Sequence, residues 1–216
     1  MSSGKKKAPG GSYGTGIDMR LALFDFDGTI SHKDSFLDFL IYAFGFPRLV
    51  LALFINSPTL ILYMTGIIPN GKAKEKIFRY FFKGHNKNDF EATASDYAKE
   101  RLPFIIRDTS LKKIEWHLSE SHRVVVVTAS AEEWLRSWCN EYNLDLIATK
   151  LEFAGNTLTG NIYGKNCHGE EKVRRIKERY PLDEYDYIYA YGDSKGDLDM
   201  MALADEKYYR GKKLAC

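Results

Sequence analysis

The sequence predicts an α/β protein built on a doubly wound parallel sheet, with a helical segment inserted after the first strand. Three short β-rich runs, at residues 20–26, 123–130 and 186–194, each end in small polar or acidic residues. Stretches with helical periodicity lie between these runs, and strands that alternate with helices are typical of a parallel sheet. Because ligands bind at the carboxyl ends of the strands in such sheets, the polar ends are expected to meet in one site.

Composition and charge narrow the functional classes. The chain of 216 residues is long enough for one α/β domain with a small accessory module. Its hydrophobic content of 44% and charged content of 28% are those of a globular protein. A net charge of +2 gives no general attraction to nucleic acid, so no nucleic-acid partner is expected. The 3 cysteines are widely spaced and form no disulfide framework or metal-binding pair, which favours a reducing cytoplasm.

The domain organisation follows from where apolar periodicity begins and how far apart the strands lie. Residues 1–18 are rich in Gly, Ser and Lys and are interpreted as a disordered N-terminal leader. Residues 19–31 and 107–216 are assigned to the α/β core. The connection between the first two strands is much longer than a single crossover helix requires. Residues 32–106 are therefore predicted to form a helical cap over the edge of the sheet.

Local patterns predict three further elements of the core. Residues 131–142 are predicted as a helix that Ser130 caps, with Glu133 as its capping-box partner. Residues 169–180 are predicted as a basic amphipathic helix that ends before a proline. Residues 151–163 alternate around a Gly-Asn pair and predict a β-hairpin.

Two carboxylates, Asp25 and Asp27, end the first predicted strand and are followed by Gly28 and Thr29. Two acids in a surface turn are common, but here a buried strand precedes them and other polar clusters are expected nearby. The pair fits phosphoryl transfer, in which Asp25 attacks phosphorus while Asp27 protonates the leaving oxygen and later activates water. A Mg²⁺ ion would offset the repulsion between clustered carboxylates. Gly28 permits a tight turn, and Thr29 is expected to hydrogen-bond locally.

Polar residues near the other two strand ends supply the remaining parts of such a site. Thr128 and the N–H groups that follow it suit a phosphate oxygen. Asp193 and Asp197 can hold a hard cation through oxygen ligands, and Lys172 can neutralise both the phosphoryl group and the nucleophile. Each has a structural alternative when taken alone: a turn residue for Thr128, an N-capped surface helix for the aspartates and a solvated helix face for the lysine.

Taken together, these motifs resemble the haloacid dehalogenase-like (HAD) phosphatases of subfamily IB, which carry a helical cap. The resemblance rests on DFDGT at 25–29, VVVVT at 124–128, Lys172 and GDSKGD at 192–197. It implies Mg²⁺ bound by Asp25, the backbone carbonyl of Asp27, and Asp193, with phosphate contacts from Thr128 and Lys172. Residues expected to support the metal or the phosphate from the same loops are Gly28, Thr29, Ala129, Ser130 and Asp197. Asp34, Lys150 and His168 are candidates for contact with the substrate.

Within that family the nearest pattern is the phosphoserine phosphatase group. Its members usually carry Ser-Gly-Gly at the second motif, whereas this chain reads Thr128-Ala129-Ser130, which argues against phosphoserine as the substrate. Residues 166–173, NCHGEEKV, together with the apolar cap give a partial resemblance to the C-type phosphatidylglycerophosphate phosphatases. The expected substrate is therefore a small-molecule or lipid phosphate. The alternatives are a phosphotransferase or mutase on the same scaffold, and a non-catalytic membrane-associated binding protein.

Residues 49–68, LVLALFINSPTLILYMTGII, carry no charge. Asn56, Ser57 and Pro58 interrupt this run, and each half is too short to cross a bilayer. The run is therefore predicted as a helix–proline–helix element of the cap. It either packs inside the cap or against a second copy in a homodimer, or it dips into a membrane surface and presents a lipid phosphate to Asp25. The last alternative would make a cytoplasmic protein peripheral to the inner membrane.

Overall fold

The sheet places β1 at its centre in a computed structural model that describes residues 18–57, 65 and 70–215. The strands are β1 (Arg20–Phe24), β2 (Arg123–Ala131), β3 (Asp145–Ala154), β4 (Thr157–Tyr163), β5 (Tyr187–Gly192), β6 (Glu206–Tyr209) and β7 (Lys212–Lys213). Their order across the sheet is β4-β3-β2-β1-β5-β6-β7. The strands from β3 to β6 in this order run parallel, and β4 and β7 pair antiparallel at the two edges.

Helices occupy most of the connections between these strands. They are α1 (Ser35–Phe44), α2 (Phe46–Ile55), α3 (Asn70–Phe82), α4 (Lys87–Glu100), α5 (Asp108–Ser119), α6 (Arg136–Glu141), α7 (Glu170–Arg179) and α8 (Leu198–Met201). Short 3₁₀ helices lie at Leu102–Ile105, Glu132–Trp134, Leu182–Glu184 and Lys195–Asp197. From Ser35 onward the described segments before α5 are mostly helical, as expected for the cap, while the division of the chain into core and cap stays a prediction.

Both faces of the sheet are covered, which explains why β1 and β2 read as continuous apolar runs. Successive side chains of a strand point to opposite faces. Ala22 and Phe24 of β1 join the hydrophobic cluster that includes α5 and the helices before it. Leu21 and Leu23 join a second cluster with α7 and α8 on the other face. This two-sided packing confirms the predicted doubly wound α/β fold.

The predictions for local elements have mixed outcomes. The hairpin at 151–163 is confirmed by β3 and β4, and the helix at 169–180 by α7. The helix at 131–142 is wrong in its first part. Here β2 continues to Ala131, a 3₁₀ turn follows, and α6 begins only at Arg136. Ser130 makes no cap because its Oγ donates to the carboxylate of Asp27 instead.

Helices α1 and α2 form a sharply bent pair that contains the first half of the uncharged run. The two helices meet at Gly45, whose φ of 81° lies in a region that favours glycine. The angle between the two helices is 115°. Within 18–57 and 70–215, no single helix is long and apolar enough to be a membrane span. The bent pair of α1 and α2 has the required length and apolar character only when the two helices are taken together. The predicted second helix of the run and residues 1–17 of the predicted leader lie outside the described residues.

A buried histidine joins α5 to the sheet. His117 has 0% exposure, its Nε2 lies 2.8 Å from the Tyr191 hydroxyl, and its Nδ1 lies 2.8 Å from Nδ1 of His122. In the neutral imidazole one ring nitrogen donates and the other accepts, so this arrangement suits an uncharged His117. Burial, with smaller contributions from His122 and Lys113, lowers the pKa of His117 to about 3.

We expect this histidine to make the fold sensitive to acid. Between pH 6.5 and 3 the unfolded chain binds a proton at His117 that the folded chain does not, so stability is complete above this window and is lost as the pH falls through it. Between pH 7 and pH 5 the loss should be about 2 kcal/mol. Urea unfolding at both pH values should show a smaller pH dependence in His117→Asn than in the wild type. The exposed His32→Asn control should keep the wild-type difference, and equal slopes in all proteins would contradict the assignment.

Candidate active site

The carboxylate of Asp25 lies at the carboxyl end of β1, the central strand of the sheet. Asp25 follows β1 directly, its backbone N–H donates to the carbonyl of Tyr191 at 2.9 Å, and it is only 7% exposed. The next turn passes very close to the end of β5. A Cβ at Gly28 would lie 2.2 Å from Oδ2 of Asp193, and the φ of Gly28 is +82°. Glycine at this position therefore allows the loops after β1 and β5 to bring their acids together.

Lys172 binds the ends of three elements into one cluster. Its Nζ donates to Oδ1 of Asp25 at 2.6 Å, to Oδ1 of Asp197 at 2.6 Å and to the carbonyl of Val127 at 2.8 Å. The lysine side chain is 2% exposed, so these bonds replace its hydration. Burial alone would lower the pKa of Lys172, but the charges of Asp25 and Asp197 outweigh it and raise that pKa. Lys172 is therefore a buried ammonium ion, as the predicted role requires.

Asp197 accepts a hydrogen bond from Lys172 and also takes part in a helix cap. Its Oδ2 accepts hydrogen bonds from the backbone N–H groups of Asp193 and Ser194 at 3.2 and 3.0 Å, and from the Ser194 hydroxyl at 2.7 Å. Ser194 and Asp197 thus form a capping box. Burial would raise the pKa of Asp197, but the charge and hydrogen bond of Lys172 lower it. Asp197 therefore takes part in a helix cap, as the structural alternative proposed, but it is buried and not on a surface helix, and its role in metal or phosphate binding stays a prediction.

The carboxylates at this edge fit a divalent cation. Oxygen atoms of Asp25, Asp193 and Asp197 lie within 4.8 Å of one another. Both oxygens of Asp197 already accept hydrogen bonds, so Asp25 and Asp193 are the better ligands and Asp197 is a supporting residue. Burial raises the pKa of Asp25 to about 7 although Lys172 opposes this, and burial followed by the charge of Asp197 raises that of Asp193. A hard cation such as Mg²⁺ would favour their ionised forms.

Asp27 lies outside this carboxylate cluster and is held by the residues that start α1 and end β2. Its Oδ1 accepts from the backbone N–H of Ser35 at 2.7 Å, and its Oδ2 accepts from the Ser130 hydroxyl. The hydroxyls of Ser35 and Ser130 lie 2.9 Å apart. These bonds fix the orientation of the Asp27 side chain, so only its backbone carbonyl stays a predicted metal ligand.

The residues expected to contact phosphate have different surroundings from those predicted. Thr128 is 1% exposed, and its Oγ1 accepts from the backbone N–H of Ser130 at 3.0 Å. No helix begins directly after Thr128, because β2 runs on through Ala129 to Ala131, so a helix N-terminus there was a wrong expectation. Thr29 makes a local hydrogen bond through its backbone N–H, which donates to the carbonyl of Phe26 at 3.3 Å, and not through its side chain. Its Oγ1 is buried without a partner among the residues described.

The candidate substrate residues lie around the periphery of the site. Asp34 is exposed and caps α1 by accepting from the backbone N–H of Leu37 at 3.0 Å. Lys150 is exposed, with its Nζ 4.0 Å from Oε2 of Glu132. His168 lies against the loop after β5, since a Cβ at Gly196 would be 2.3 Å from its Nε2. Contact between these three residues and a substrate stays a prediction.

The sequence did not reveal an apolar pocket beside Ser130. Phe36 stacks on Phe78 with ring centroids 5.1 Å apart, and both rings lie near Trp134. The pocket is lined by Phe36, Phe78, Ala129, Ser130, Ala131, Trp134, Thr149, Leu151, Ile162 and Asn166. Its aromatic residues come from separate elements and share no periodic pattern. Ser35 was also missed, although a helix start shortly after the Asp25 turn was a usable signal.

Fold and site together define a Rossmann-like α/β enzyme with a central carboxylate, a buried lysine and a cluster of acids that could hold a cation. The family model for haloacid dehalogenase-like hydrolases matches residues 22–202, and the chain belongs to this family. The predicted family and the prediction of an enzyme of the HAD type are therefore confirmed. The assignment to subfamily IB stays a prediction.

Relatives of known sequence or structure agree with this assignment. The chain is 34% identical over 197 residues to Protein CicA of Caulobacter vibrioides, covering 90% of this chain and 87% of the relative. A protein of unknown function from Bordetella pertussis Tohama I has a TM-score of 0.76 at 23% identity, with 88% of each chain covered. A phospho-aspartyl intermediate analogue of phosphoserine phosphatase has a TM-score of 0.62 at 17% identity, covering 88% of this chain and 85% of that one. Both structural comparisons show a shared fold. The second of these structures is a phosphoserine phosphatase.

We expect Gly28→Ala to disrupt the site more than its backbone strain alone would. The added Cβ would meet the Asp193 carboxylate at 2.2 Å, so the loops after β1 and β5 must separate. Gly84→Ala is a matched control, because Gly84 has a φ of +88° and no atom within 4 Å of the added Cβ. Both variants carry a left-handed alanine, which costs about 1–2 kcal/mol. Mg²⁺ titration by calorimetry should show at least about tenfold weaker binding in Gly28→Ala only; equal affinity in both variants would contradict the proposed role.

Proposed function

We propose that this protein is a Mg²⁺-dependent phosphomonoester hydrolase that acts through an aspartyl-phosphate on Asp25. The observation that carries the proposal is the buried Lys172, whose ammonium lies 2.6 Å from Oδ1 of Asp25. This contact holds the nucleophile at the carboxyl end of β1 and places a positive charge where a phosphoryl group would gain negative charge. A purely structural ion pair would not require the second acid pair, Asp27 and Asp193, at the same edge.

The proposed reaction has two displacements at phosphorus. In the first, an oxygen of Asp25 bonds to phosphorus, the bond to the leaving oxygen breaks, and Asp27 gives that oxygen its proton. In the second, a water molecule loses a proton to Asp27 and attacks phosphorus, which breaks the bond to Asp25 and releases phosphate. Asp27 is suited to both proton transfers because Ser35 and Ser130 fix its carboxylate.

The metal would be held by Asp25 and Asp193, with the backbone carbonyl of Asp27 as the third predicted protein ligand. When bound, Mg²⁺ supplies positive charge that offsets phosphate–carboxylate repulsion. Lys172 and the Asp197 capping box keep these acids in position. Thr128 and the backbone around Ala129 are the proposed contacts for the remaining phosphate oxygens.

The apolar pocket supports a substrate other than phosphoserine. No charged side chain is among the residues that line it in the described part of the chain, and Phe36, Phe78 and Trp134 form much of its wall. The carboxylate and ammonium of a phosphoserine substrate would lose their hydration there without ionic partners. The space itself is small, about 20 Å³, so it would take only an uncharged end of the leaving group, such as a small-molecule or lipid phosphate could supply.

The two alternative functions use the same residues differently. A phosphotransferase would share the aspartyl-phosphate and differ only in the acceptor that attacks it. A non-catalytic binding protein would have no need for a buried nucleophile, its lysine and a fixed acid, so their presence together favours an enzyme.

The surface of α2 supports a membrane contact for the cap. Large apolar side chains of this helix are exposed, at 63% for Phe46 and 77% for Phe54. Val50, Leu51 and Ile55 on the same helix are also exposed. Interfacial helices bury such apolar faces at the boundary between headgroups and acyl chains. We therefore include a peripheral contact with the inner membrane from the cytoplasmic side in the proposal, with a homodimer contact as the competing explanation.

The central test is phosphate release from an aryl phosphate in the presence of Mg²⁺. Asp25→Asn should lower the rate by more than about 1,000-fold, because an amide cannot replace the carboxylate nucleophile. Asp89→Asn, at an exposed position on α4, is the matched control and should retain wild-type turnover. The proposal would fail if the wild type binds Mg²⁺ but hydrolyses no phosphate ester.

A flotation assay with vesicles of anionic and zwitterionic phospholipids tests the membrane contact. Phe54→Ser should reduce the bound fraction by about half or more, because it removes a large apolar side chain from the proposed contact. Phe104→Ser is a matched control, since Phe104 is 73% exposed but lies in the 3₁₀ turn before α5. A wild-type protein that stays wholly in solution, or equal loss in both variants, would count against membrane binding. Dimerisation that Phe54→Ser alone disrupts would favour the homodimer.

A further inference from the structure

We propose that a basic cleft beside α5 is a second anion-binding site, one that takes an organic phosphate or a polyphosphate. The cleft has a volume of about 810 Å³ and lies between α5 and the carboxyl ends of β5 and β6. Arg107, Lys113 and Arg210 line it together with Thr29, Tyr208 and Asp193. The cleft borders the proposed catalytic site, since Gly28, Thr29 and Asp193 line it, but Asp25, Asp27 and Lys172 are not among its lining residues.

The cleft carries an excess of positive charge. Within the described ranges, none of its three cationic side chains forms an ion pair with a carboxylate, and Asp193 is the only acidic residue of the lining. Clustered cations in a concave surface concentrate field lines and attract anions. Three positive charges against one negative charge favour a ligand with at least two negative charges.

The contacts of the three cations leave donors for a ligand. Arg107 donates through Nε to the carbonyl of Ser31 at 3.1 Å, and Arg210 donates through Nε to the carbonyl of Asp193 at 3.0 Å. These bonds fix the guanidinium groups through one nitrogen each, and the remaining N–H groups suit the paired oxygens of a phosphate. Lys113 lies over aromatic rings, with its Nζ 5.0 Å from the centroid of Trp116 and 5.5 Å from that of Tyr208.

A second observation points to a polar ligand at the inner end of the cleft. The Oγ1 of Thr29 is buried and has no hydrogen-bond partner in the described part of the chain. A buried hydroxyl without a partner is costly, and a ligand oxygen in the cleft would satisfy it. Ser110 and Thr109 of α5 add hydroxyl groups to the same wall.

The dimensions of the cleft favour a ligand larger than inorganic phosphate. Binding sites for small organic molecules commonly enclose about 300–1,000 Å³, and this cleft falls within that range. Its aromatic wall is rigid, because Phe24, Tyr191 and Tyr208 stack in sequence with centroid distances of 4.1 and 4.7 Å. We therefore expect nucleotide-sized phosphates or polyphosphates to bind, and orthophosphate to bind more weakly.

The test measures ATP binding by isothermal titration calorimetry in EDTA, with pyrophosphate and orthophosphate as size comparisons. We expect saturable ATP binding to the wild type and at least about fivefold weaker binding to Lys113→Gln, because one charged donor is lost. Lys112→Gln is the matched control, since Lys112 is the exposed neighbour on the same helix and is not part of the lining. Its affinity should remain within about twofold of the wild type, as expected for a screened surface charge.

Further arms separate this site from the catalytic one and from a membrane surface. Lys113→Gln should keep wild-type aryl phosphatase activity and melting temperature, and Arg107→Gln should also weaken ATP binding. The fluorescence of Trp116, assigned by Trp116→Phe, should change on ATP addition because Lys113 contacts its ring. Absence of saturable binding, equal weakening in the Lys112 and Lys113 variants, or binding to anionic vesicles but to no soluble phosphate would each overturn the proposal. The titration measures ATP binding and not hydrolysis. Its outcome can therefore be interpreted even if the protein hydrolyses no phosphate ester.

Discussion

The buried ammonium of Lys172 is the interaction on which the rest of the site depends. An ammonium ion loses its hydration when it is 2% exposed, and only close anionic and carbonyl partners can compensate for that loss. Those partners come from the ends of β1 and β2 and from the loop after β5. The lysine itself lies in the first turn of α7, held there although a helix N-terminus disfavours a cation. The buried ammonium of Lys172 needs all of these partners. It therefore holds the ends of the strands in fixed positions relative to one another.

The same charge balance would favour a divalent cation at this site. Three carboxylates, Asp25, Asp193 and Asp197, gather around a single ammonium, which leaves an excess of two negative charges at the edge of the sheet. Burial penalises that excess and raises the pKa of Asp25 and Asp193. One Mg²⁺ carries the charge that would neutralise it. The glycine at position 28 belongs to this arrangement, because any side chain there would push the acids apart.

The sequence was enough to predict that the side chains of Asp25, Lys172 and Asp193 lie close together, because parallel-sheet geometry alone brings strand ends together. Asp25 and Asp193 could be placed from two polar strand ends, and Lys172 from one helix start. Ser130 could not, because its local pattern matches a helix cap, whereas the fold offers its hydroxyl the stronger acceptor Asp27. The pocket of Phe36, Phe78 and Trp134 was also hidden, since its rings come from elements far apart in the sequence. Predictions from one residue and its sequence neighbours failed where the side chain contacts a residue far away in the sequence, as Ser130 contacts Asp27.

Two adjacent residues connect the helices after β1 to the chemistry. The backbone N–H of Ser35 donates to Asp27, while the ring of Phe36 forms a wall of the apolar pocket. Asp34 caps the same helix, so the position of α1 sets both contacts at once. A shift of α1 would therefore change the orientation of the proposed general acid and the shape of the pocket together. Because a leaving group must meet both, recognition of the substrate and protonation of its oxygen depend on one helix terminus. Any contact that moves this helix, including one made by the exposed face of α2, would act on both steps.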